Sequence, residues 1–483
     1  MFVGRSKELE SLEEFYRKTA SNLLVMYGHK GIGKTSLMFR FSRDKKFHYY
    51  CARPCSEEEQ MTLWEEEIRR QGSYDTAGFR KTEGDGFGDI LRTMVPLSSE
   101  RTLVAVTPSM GVETGLYPKE GEGFGKEIIA IDEFQNILKY SETFMVSLLR
   151  YIKESKGRVM VVLLSSSVSF IENDFVPRIG TLAFGISSFV KMTELTFIDC
   201  VRYFENADTA TCMQIYSILG GNPGYWSYFN DRFDIRENIC QGILKEGAWL
   251  RDEGLRVVSS ELRELNVYCT ILNCLANGKN KLNDLHQHTG FSRAKISVYI
   301  KNLMERELVE KVFPFDGASN ANAKKGMYRI KVRLLQFYFR FLYPNQTFLE
   351  RYDAKTFFDR FVKDGLAGFH QENFPKVCTE FLELQNEQGA LPIEAVRNGE
   401  WIGKEGSIDI IMQSRERETL LGFCNWEKTI VSEEDLEGYM KTIESAKLHP
   451  DYVYLFSAGE FSKGLKEMEE LNDSFRLIDI GTI

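Results

Sequence analysis

The sequence predicts an α/β protein built on a parallel sheet, and three observations predict it. The apolar stretch Leu23-Leu24-Val25-Met26-Tyr27 runs into a glycine-rich loop, Gly28 to Thr35, and then into the helix-like Ser36-Leu37-Met38-Phe39. About a hundred residues on, Glu127-Ile128-Ile129-Ala130-Ile131-Asp132-Glu133 reads as a buried strand that ends in two acids. Arg158 to Leu164 is a further apolar run, and it ends in Ser165-Ser166-Ser167. Continuous apolar runs of this length suit strands covered on both faces by helices.

The first element, Gly28-His29-Lys30-Gly31-Ile32-Gly33-Lys34-Thr35, has the residues and context of a P-loop. A triphosphate is met by converging backbone N–H groups, and glycines let the chain wrap that closely. The expected nucleotide contacts are Gly28, Lys30, Gly31, Ile32, Gly33, Lys34, Thr35 and Ser36. Lys34 is expected at the β- and γ-phosphates, and the Thr35 hydroxyl at a bridging Mg²⁺, a place Ser36 suits less well. His29 reads as a loop filler rather than a base.

The second element has the form of a Walker B strand. Asp132 is expected to hold Mg²⁺ and Glu133 to polarise the attacking water, which makes Lys34, Asp132 and Glu133 the catalytic set. The alternative is that the two acids cap a helix beginning near Phe134, although capping requires no buried strand before it. In the additional-strand class of P-loop ATPases a polar sensor follows the next strand, so Ser166 is the candidate to feel the γ-phosphate. Its alternative is a plain serine-rich turn.

Composition sets the bounds. A chain of 483 residues suggests two to four domains, and 43% hydrophobic with 27% charged residues is ordinary for globular proteins. No run approaches the roughly 18 apolar residues of a membrane span, and Met1-Phe2-Val3-Gly4-Arg5 is no signal peptide. A soluble, cytoplasmic chain with no membrane partner is expected. The nine cysteines lack metal-ligand spacing, so reduced and mostly buried thiols are expected. Net charge is −9, yet Lys281 to Arg333 carries eleven Lys/Arg against five Asp/Glu, a local +6 that leaves about −15 on the rest.

That basic segment has a layout of its own. Glu264 to Ala276, Lys281 to His288 and Arg293 to Glu307 read as three helices, with Thr289-Gly290-Phe291-Ser292 as turn and N-cap. Leu308 to Phe313 and Gly326 to Ile330 read as two strands around a polar loop, Asp316 to Lys325. Three helices and a hairpin describe a winged helix-turn-helix. If it binds double-stranded DNA, the third helix offers Arg293, Lys295 and Lys301 with Ser292 and Ser297, while Lys324 and Lys325 on the wing meet phosphate. Winged helices also serve as packing or protein-binding modules. Between core and module, Glu194 to Leu255 is helical in pattern, with Gly220-Gly221-Asn222-Pro223 as cap and turn.

Phe2-Val3-Gly4-Arg5-Ser6-Lys7-Glu8-Leu9, the P-loop, Ile131-Asp132-Glu133-Phe134-Gln135, the serine-rich strand end and Gly-Gly-x-Pro before a winged helix together resemble a prokaryotic ATPase family of the AAA+/STAND type, common in archaea. The resemblance covers Met1 to about Pro344. It implies ATP and Mg²⁺ as cofactors, Arg5 near the nucleotide base, and Gly220 to Pro223 in a helical lid, with Pro223 among the nucleotide contacts and Gly220-Gly221 as a natural hinge. Many members carry a C-terminal domain resembling restriction endonucleases, and here Lys376 to Leu384, Leu391 to Val396, Gly406 to Met412 and Thr419 to Trp426 supply its helix and strands. Asp409 fits that nuclease's first carboxylate, with Glu380 near the helix position. Where the pattern reads Gly-Glu-x-Lys-Trp, this chain has Gly422-Phe423-Cys424-Asn425-Trp426, so a nuclease fold without its metal site and without DNA cleavage is expected.

The expected division is an ATPase core 1–193, a helical lid 194–255, a winged helix-turn-helix 256–345, a linker helix region 346–368 and a degenerate nuclease-like α/β domain 369–483. Relatives usually place an Arg after an aromatic-Gly pair beyond the sensor strand, whereas this chain reads Ala183-Phe184-Gly185-Ile186, with Arg178 as a speculative substitute. Turnover is therefore expected to be slow. The functional expectation is a Mg-dependent ATP-binding protein whose slow hydrolysis switches a DNA-associated multidomain protein. The alternative is an ATP-regulated scaffold for protein partners. Pro96 to Lys126 reads as an insertion without an assigned role, and oligomeric state is left open.

Overall fold

The computed structural model describes residues 2–70, 86–95, 126–315, 326–403 and 406–483. All but Lys126 of the 96–126 insertion lies outside the described residues, as does the wing loop with Lys324 and Lys325. The chain divides into two compact units that meet in sequence at Thr193 and Glu194.

The unit Gly4 to Thr193 is built on five parallel strands, β1 (Asn22–Tyr27), β2 (Phe47–Cys51), β3 (Glu127–Asp132), β4 (Val159–Ser165) and β5 (Ser188–Lys191). Their order is β2-β3-β4-β1-β5, so the strand after the acid pair is inserted between the glycine-loop strand and the acid-bearing strand. Alternate residues face opposite sides. Leu23, Val25, Ile129, Ile131, Val161 and Leu163 join one apolar cluster with Trp64, Phe87 and Leu148 from helices Glu57–Arg70, Gly86–Met94 and Phe144–Glu154. Leu24, Met26, Ile128, Ala130, Met160 and Val162 join the other, with Leu12 and Leu37 from helices Ser6–Arg17 and Lys34–Phe41. Helices cover both faces, so the strands carry no polar alternation.

In the unit Glu194 to Ile483, helices Leu265–Ala276, Leu282–Thr289 and Arg293–Glu305 lead into an antiparallel hairpin of β6 (Val309–Val312) and β7 (Met327–Ile330). Gly290 ends the second helix in the left-handed conformation, and the Ser292 side chain caps the third. The three helices and the hairpin expected for this segment are present. Farther on, β8 (Ala395–Ile402), β9 (Ser407–Ser414), β10 (Thr419–Asn425), β12 (Tyr452–Ser457) and β14 (Phe475–Asp479) form a mixed sheet in the order β14-β12-β10-β9-β8. The short β11 (Ile430–Val431) and β13 (Glu460–Phe461) pair in parallel beside it. A single apolar cluster runs from Leu195 through the winged helix to one face of this sheet. The opposite face of the sheet has its own cluster.

Three local expectations are corrected. The helix expected over Lys376–Leu384 spans Lys363–Glu387, twenty-five residues with Pro375 inside, so the junction drawn at 368/369 falls within one helix. The strand expected over Leu391–Val396 begins only at Ala395, where the Asn386 side chain bonds both the N–H and the carbonyl of Ala395 at 2.9 Å. Pro392, with no N–H to give a ladder, stays outside it. Gly220-Gly221 is no open hinge: a Cβ on Gly221 would sit 2.0 Å from the Leu195 carbonyl oxygen, Leu195 N–H donates to the Gly221 carbonyl, and Trp226 Nε1–H to that of Gly220. These glycines exist for close chain crossing.

Candidate active site

β1 ends at Tyr27, and the loop that follows turns through Gly31 and Gly33, whose φ values of 83° and 100° are readily adopted only by glycine. Gly33 is the N-cap of helix Lys34–Phe41, so the loop N–H groups sit at a helix N-terminus, the natural place for phosphate. The buried Lys34 ammonium donates to the Gly28 and His29 carbonyls at 2.7 and 3.0 Å. Burial pushes it below its ordinary range, and the charges of Glu133 and Asp132 oppose that shift. Ile32 is buried beneath the loop, whereas Lys30, Gly31 and Ser36 are exposed.

The acid pair converges on this loop. Asp132 is buried at the end of β3, and its Oδ2 accepts from the Thr35 hydroxyl at 2.7 Å and from the Tyr49 hydroxyl at 2.9 Å, while Oδ1 accepts from Glu133 N–H. Hydroxyl and carboxylate oxygens are the hard donors that Mg²⁺ takes, with phosphate and water filling the other positions, so Thr35 and Asp132 fit that ion. Among the described residues no group of three or more His, Cys, Asp or Glu could hold a metal by protein ligands alone. Glu133 has a φ of 51°, a left-handed conformation unusual for a side-chain-bearing residue, and its Oε2 accepts from Ser166 Oγ at 2.7 Å and from Gln135 Nε2. Because β4 lies between β1 and β3, Ser166 at its end lies beside the acid pair.

The structure brings Lys34, Thr35, Asp132, Glu133 and Ser166 together. Arg5 is placed differently from a base contact: its guanidinium donates to the Ile32 and Thr193 carbonyls at 2.9 and 2.7 Å and pairs with Glu8. Pro223 lies in the other unit, opening the short helix Pro223–Trp226. Arg178 is exposed in the short helix Val176–Ile179. Sequence reasoning missed Tyr49 and Gln135. Tyr49 reaches Asp132 only because β2 pairs with β3, a strand order absent from the sequence; Gln135 follows Glu133 by two residues and was the more findable.

On the third helix of the winged module, Arg293, Ser297 and Lys301 recur every fourth residue and share one exposed stripe. Arg293 donates to Asn283, and Lys301 lies 3.6 Å from Glu305. Lys295 is off this stripe, over the Phe291 and Tyr299 rings.

Glu380 and Asp409, the two residues matched to the nuclease positions, take different partners. Glu380 accepts from Phe197 N–H and the Tyr216 hydroxyl, both at 2.8 Å, on the face of its helix turned to the 194–255 segment. Asp409 accepts instead from Cys424 N–H at 2.8 Å. Phe423, where the nuclease pattern has Glu, is buried in the sheet's second apolar cluster, and Asn425 accepts from Lys428 N–H in a turn.

A glycine loop at a helix head, a carboxylate pair on the strand two places away in the sheet and a polar residue on the strand between define a P-loop ATPase of the additional-strand, AAA+-like class. A model of an ATPase domain predominantly from Archaea matches residues 2–229, and one of archaeal and bacterial proteins of unknown function matches residues 338–438. The chain belongs to this archaeal-type ATPase family. It is 24% identical over 434 residues, 88% of each chain, to an uncharacterized protein of Methanocaldococcus jannaschii. It is also 44% identical over 46 residues, 10% of this chain and 78% of the other, to an uncharacterized ATP-binding protein of the same organism. Among solved structures, a Walker-type ATPase of Pyrococcus abyssi is 15% identical, with 70% of this chain and 96% of that one covered at a TM-score of 0.47. The ORC2 protein of Aeropyrum pernix in ADPNP–ADP complexes is 14% identical, with 72% and 94% covered at 0.42.

Proposed function

We propose that this ATPase binds ATP with Mg²⁺ and hydrolyses it slowly, using the occupancy of its glycine loop to switch a multidomain protein that associates with double-stranded DNA. The observation that carries the reading is the convergence of Thr35, Asp132 and Glu133 beside Lys34. In this reading Thr35 and Asp132 would hold a Mg²⁺ ion that supplies charge neutralisation at the phosphates. Lys34 offers its remaining ammonium hydrogen to phosphate, and Glu133 orients the attacking water once Ser166 and Gln135 release it. Slow turnover rests on Ile186, which stands where relatives place an Arg; such a group contributes about 10³ to 10⁵ in rate where present. The exposed stripe of Arg293 and Lys301 supports DNA association.

The test is steady-state phosphate release with Mg²⁺, with and without double-stranded DNA, for the wild type, Lys34→Ala and Glu133→Gln. Turnover that falls at least tenfold in both variants is expected; turnover indifferent to Glu133 would overturn the hydrolytic assignment.

A second reading, an ATP-regulated scaffold for protein partners, is favoured by one observation. The hairpin packs on protein: Phe315, just beyond β6, is buried in the second cluster of the C-terminal sheet, and Arg329 on β7 makes a two-armed ion pair with Glu400 on β8 at 2.8 and 2.6 Å. DNA affinity that is absent at low salt, or unchanged when Arg293 and Lys301 are neutralised, selects this reading.

A further inference from the structure

Gly4 and Arg5 both have left-handed backbone, with φ of 64° and 66°, and Arg5 is the N-cap of helix Ser6–Arg17 without capping it by its side chain. A side-chain-bearing residue persists there only where its surroundings over-determine it. Its side chain, 5% exposed, supplies that restraint through the Ile32 carbonyl, the Thr193 carbonyl and Glu8. Ile32 lies within the glycine loop. Thr193 is the last residue of the ATPase unit, after which the chain enters the second unit at Glu194.

A second link runs between the same places. Gly28 approaches Met192 so closely that a Cβ on it would lie 2.5 Å from the Met192 carbonyl oxygen, and Met192 N–H donates to the Tyr27 carbonyl at 2.7 Å. The segment by which the chain leaves the ATPase unit is thus bonded directly to Tyr27, where the phosphate loop begins, and through Arg5 to Ile32 within it. Lys34 donates to the Gly28 and His29 carbonyls, which leaves one of its three ammonium hydrogens for a phosphate.

We infer that Arg5 is a positioning residue that clamps the glycine loop to the exit segment Met192-Thr193, so that filling the loop with a nucleoside triphosphate is transmitted to the connection with the second unit. The inference rests on the nucleotide-binding reading above and adds its route of transmission. Arginine suits the task because one rigid planar group reaches the Ile32 and Thr193 carbonyls through Nη2 while Nη1 is anchored on Glu8. A ligand's effect travels only through groups whose contacts differ between states, and the Arg5 bonds to the Ile32 and Thr193 carbonyls are the contacts through which it is expected to pass.

The test is amide hydrogen exchange on the full chain, with and without Mg-ATP, alongside titration of a fluorescent ATP analogue. In the wild type, ATP is expected to change exchange both at 28–35 and at 192–195, the latter by about fivefold or more, the lower range of allosteric coupling. In Arg5→Gln and in Arg5→Met the change at 28–35 is expected to persist and that at 192–195 to fall at least about twofold, the Met192–Tyr27 bond remaining; if the first variant does not fold, the second decides. The inference is overturned if the change at 192–195 is undiminished in the folded variants, if it is absent from a wild type that binds the analogue, or if both variants lose binding as Lys34→Ala does. A wild type that binds no nucleotide would instead sink the reading beneath it.

Discussion

The hydroxyl of Tyr49 and the carboxyl of Asp409 show how a single atom decides what a site does. Tyr49 donates to the Asp132 oxygen that also takes Thr35, and burial, with Asp132 beside it, pushes the phenol well above its ordinary range, so it stays a donor. Removing it in Tyr49→Phe is expected to cost about 1 kcal/mol of carboxylate orientation, roughly fivefold in the Mg²⁺ concentration giving half-maximal phosphate release. An unchanged Mg²⁺ dependence would leave Tyr49 as part of the Phe39 and Phe47 aromatic cluster only. Asp409 is raised to about 6 by burial, against the pull of Cys424 N–H and with Glu400 adding to the rise. Its proton is held more tightly folded than unfolded, so the contribution of this one group to stability is greatest below about pH 4, falls as pH climbs toward 6 and stays reduced above. Asp409→Asn keeps an acceptor for Cys424 N–H and is expected to gain about 1–3 kcal/mol at neutral pH and nothing near pH 4. Denaturant melts at the two pH values check this, and equal gains at both would refute it.

Elements are held by different forces at different joints. The wing offers a bidentate ion pair and a buried ring, and their magnitudes differ. Arg329 is 40% exposed and its pair with Glu400 is worth less than about 1 kcal/mol after solvent screening. Phe315 is 6% exposed within an apolar cluster, and truncating such a ring costs about 3–5 kcal/mol. Thermal melts should therefore drop far more for Phe315→Ala than for Arg329→Ala; the reverse order would mean that charge, not apolar burial, seats the wing. At Gly221 the carbonyl of Leu195 leaves no room for a methyl group, so Gly221→Ala is expected to destabilise by about 1–3 kcal/mol, measured by denaturant unfolding.

At the scale of the molecule, the second unit is tied through buried polar bonds as well as through its continuous apolar cluster. Ser217 in helix Thr209–Leu219 meets His370 at 2.6 Å, and Glu380 on the same long helix as His370 accepts from Tyr216 and Phe197. Burial lowers His370 to about 3, whereas burial raises the neighbouring Glu380 carboxyl. A histidine held neutral contributes stability that is whole above about pH 6.5 and is lost as pH falls toward 3. The unit should lose about 1.4 kcal/mol per pH unit over that window through this one proton, and His370→Gln should flatten the slope. A slope unchanged by the substitution would assign the acid sensitivity to other groups. These bonds couple the segment after the ATPase core to the helix Lys363–Glu387.

Much of this was legible because it is local. A glycine loop between strand and helix, a buried run ending in Asp132-Glu133, and three helices before a hairpin are written in adjacent residues, so the sequence alone determined the P-loop class and these local elements. Tertiary structure decided what depends on distant residues meeting. Strand order set Tyr49 on Asp132 and Ser166 on Glu133; the turn of the Lys363–Glu387 helix sent Glu380 to Tyr216 rather than to Asp409; and Phe315 was placed in the C-terminal sheet's apolar face. Arg5 marks the boundary between the two. Its place in the motif Phe2-Val3-Gly4-Arg5 was evident, but its task was not, because hydrogen bonds to main-chain carbonyls leave no trace in side-chain identity: any residue at 32 or 193 would offer the same oxygen.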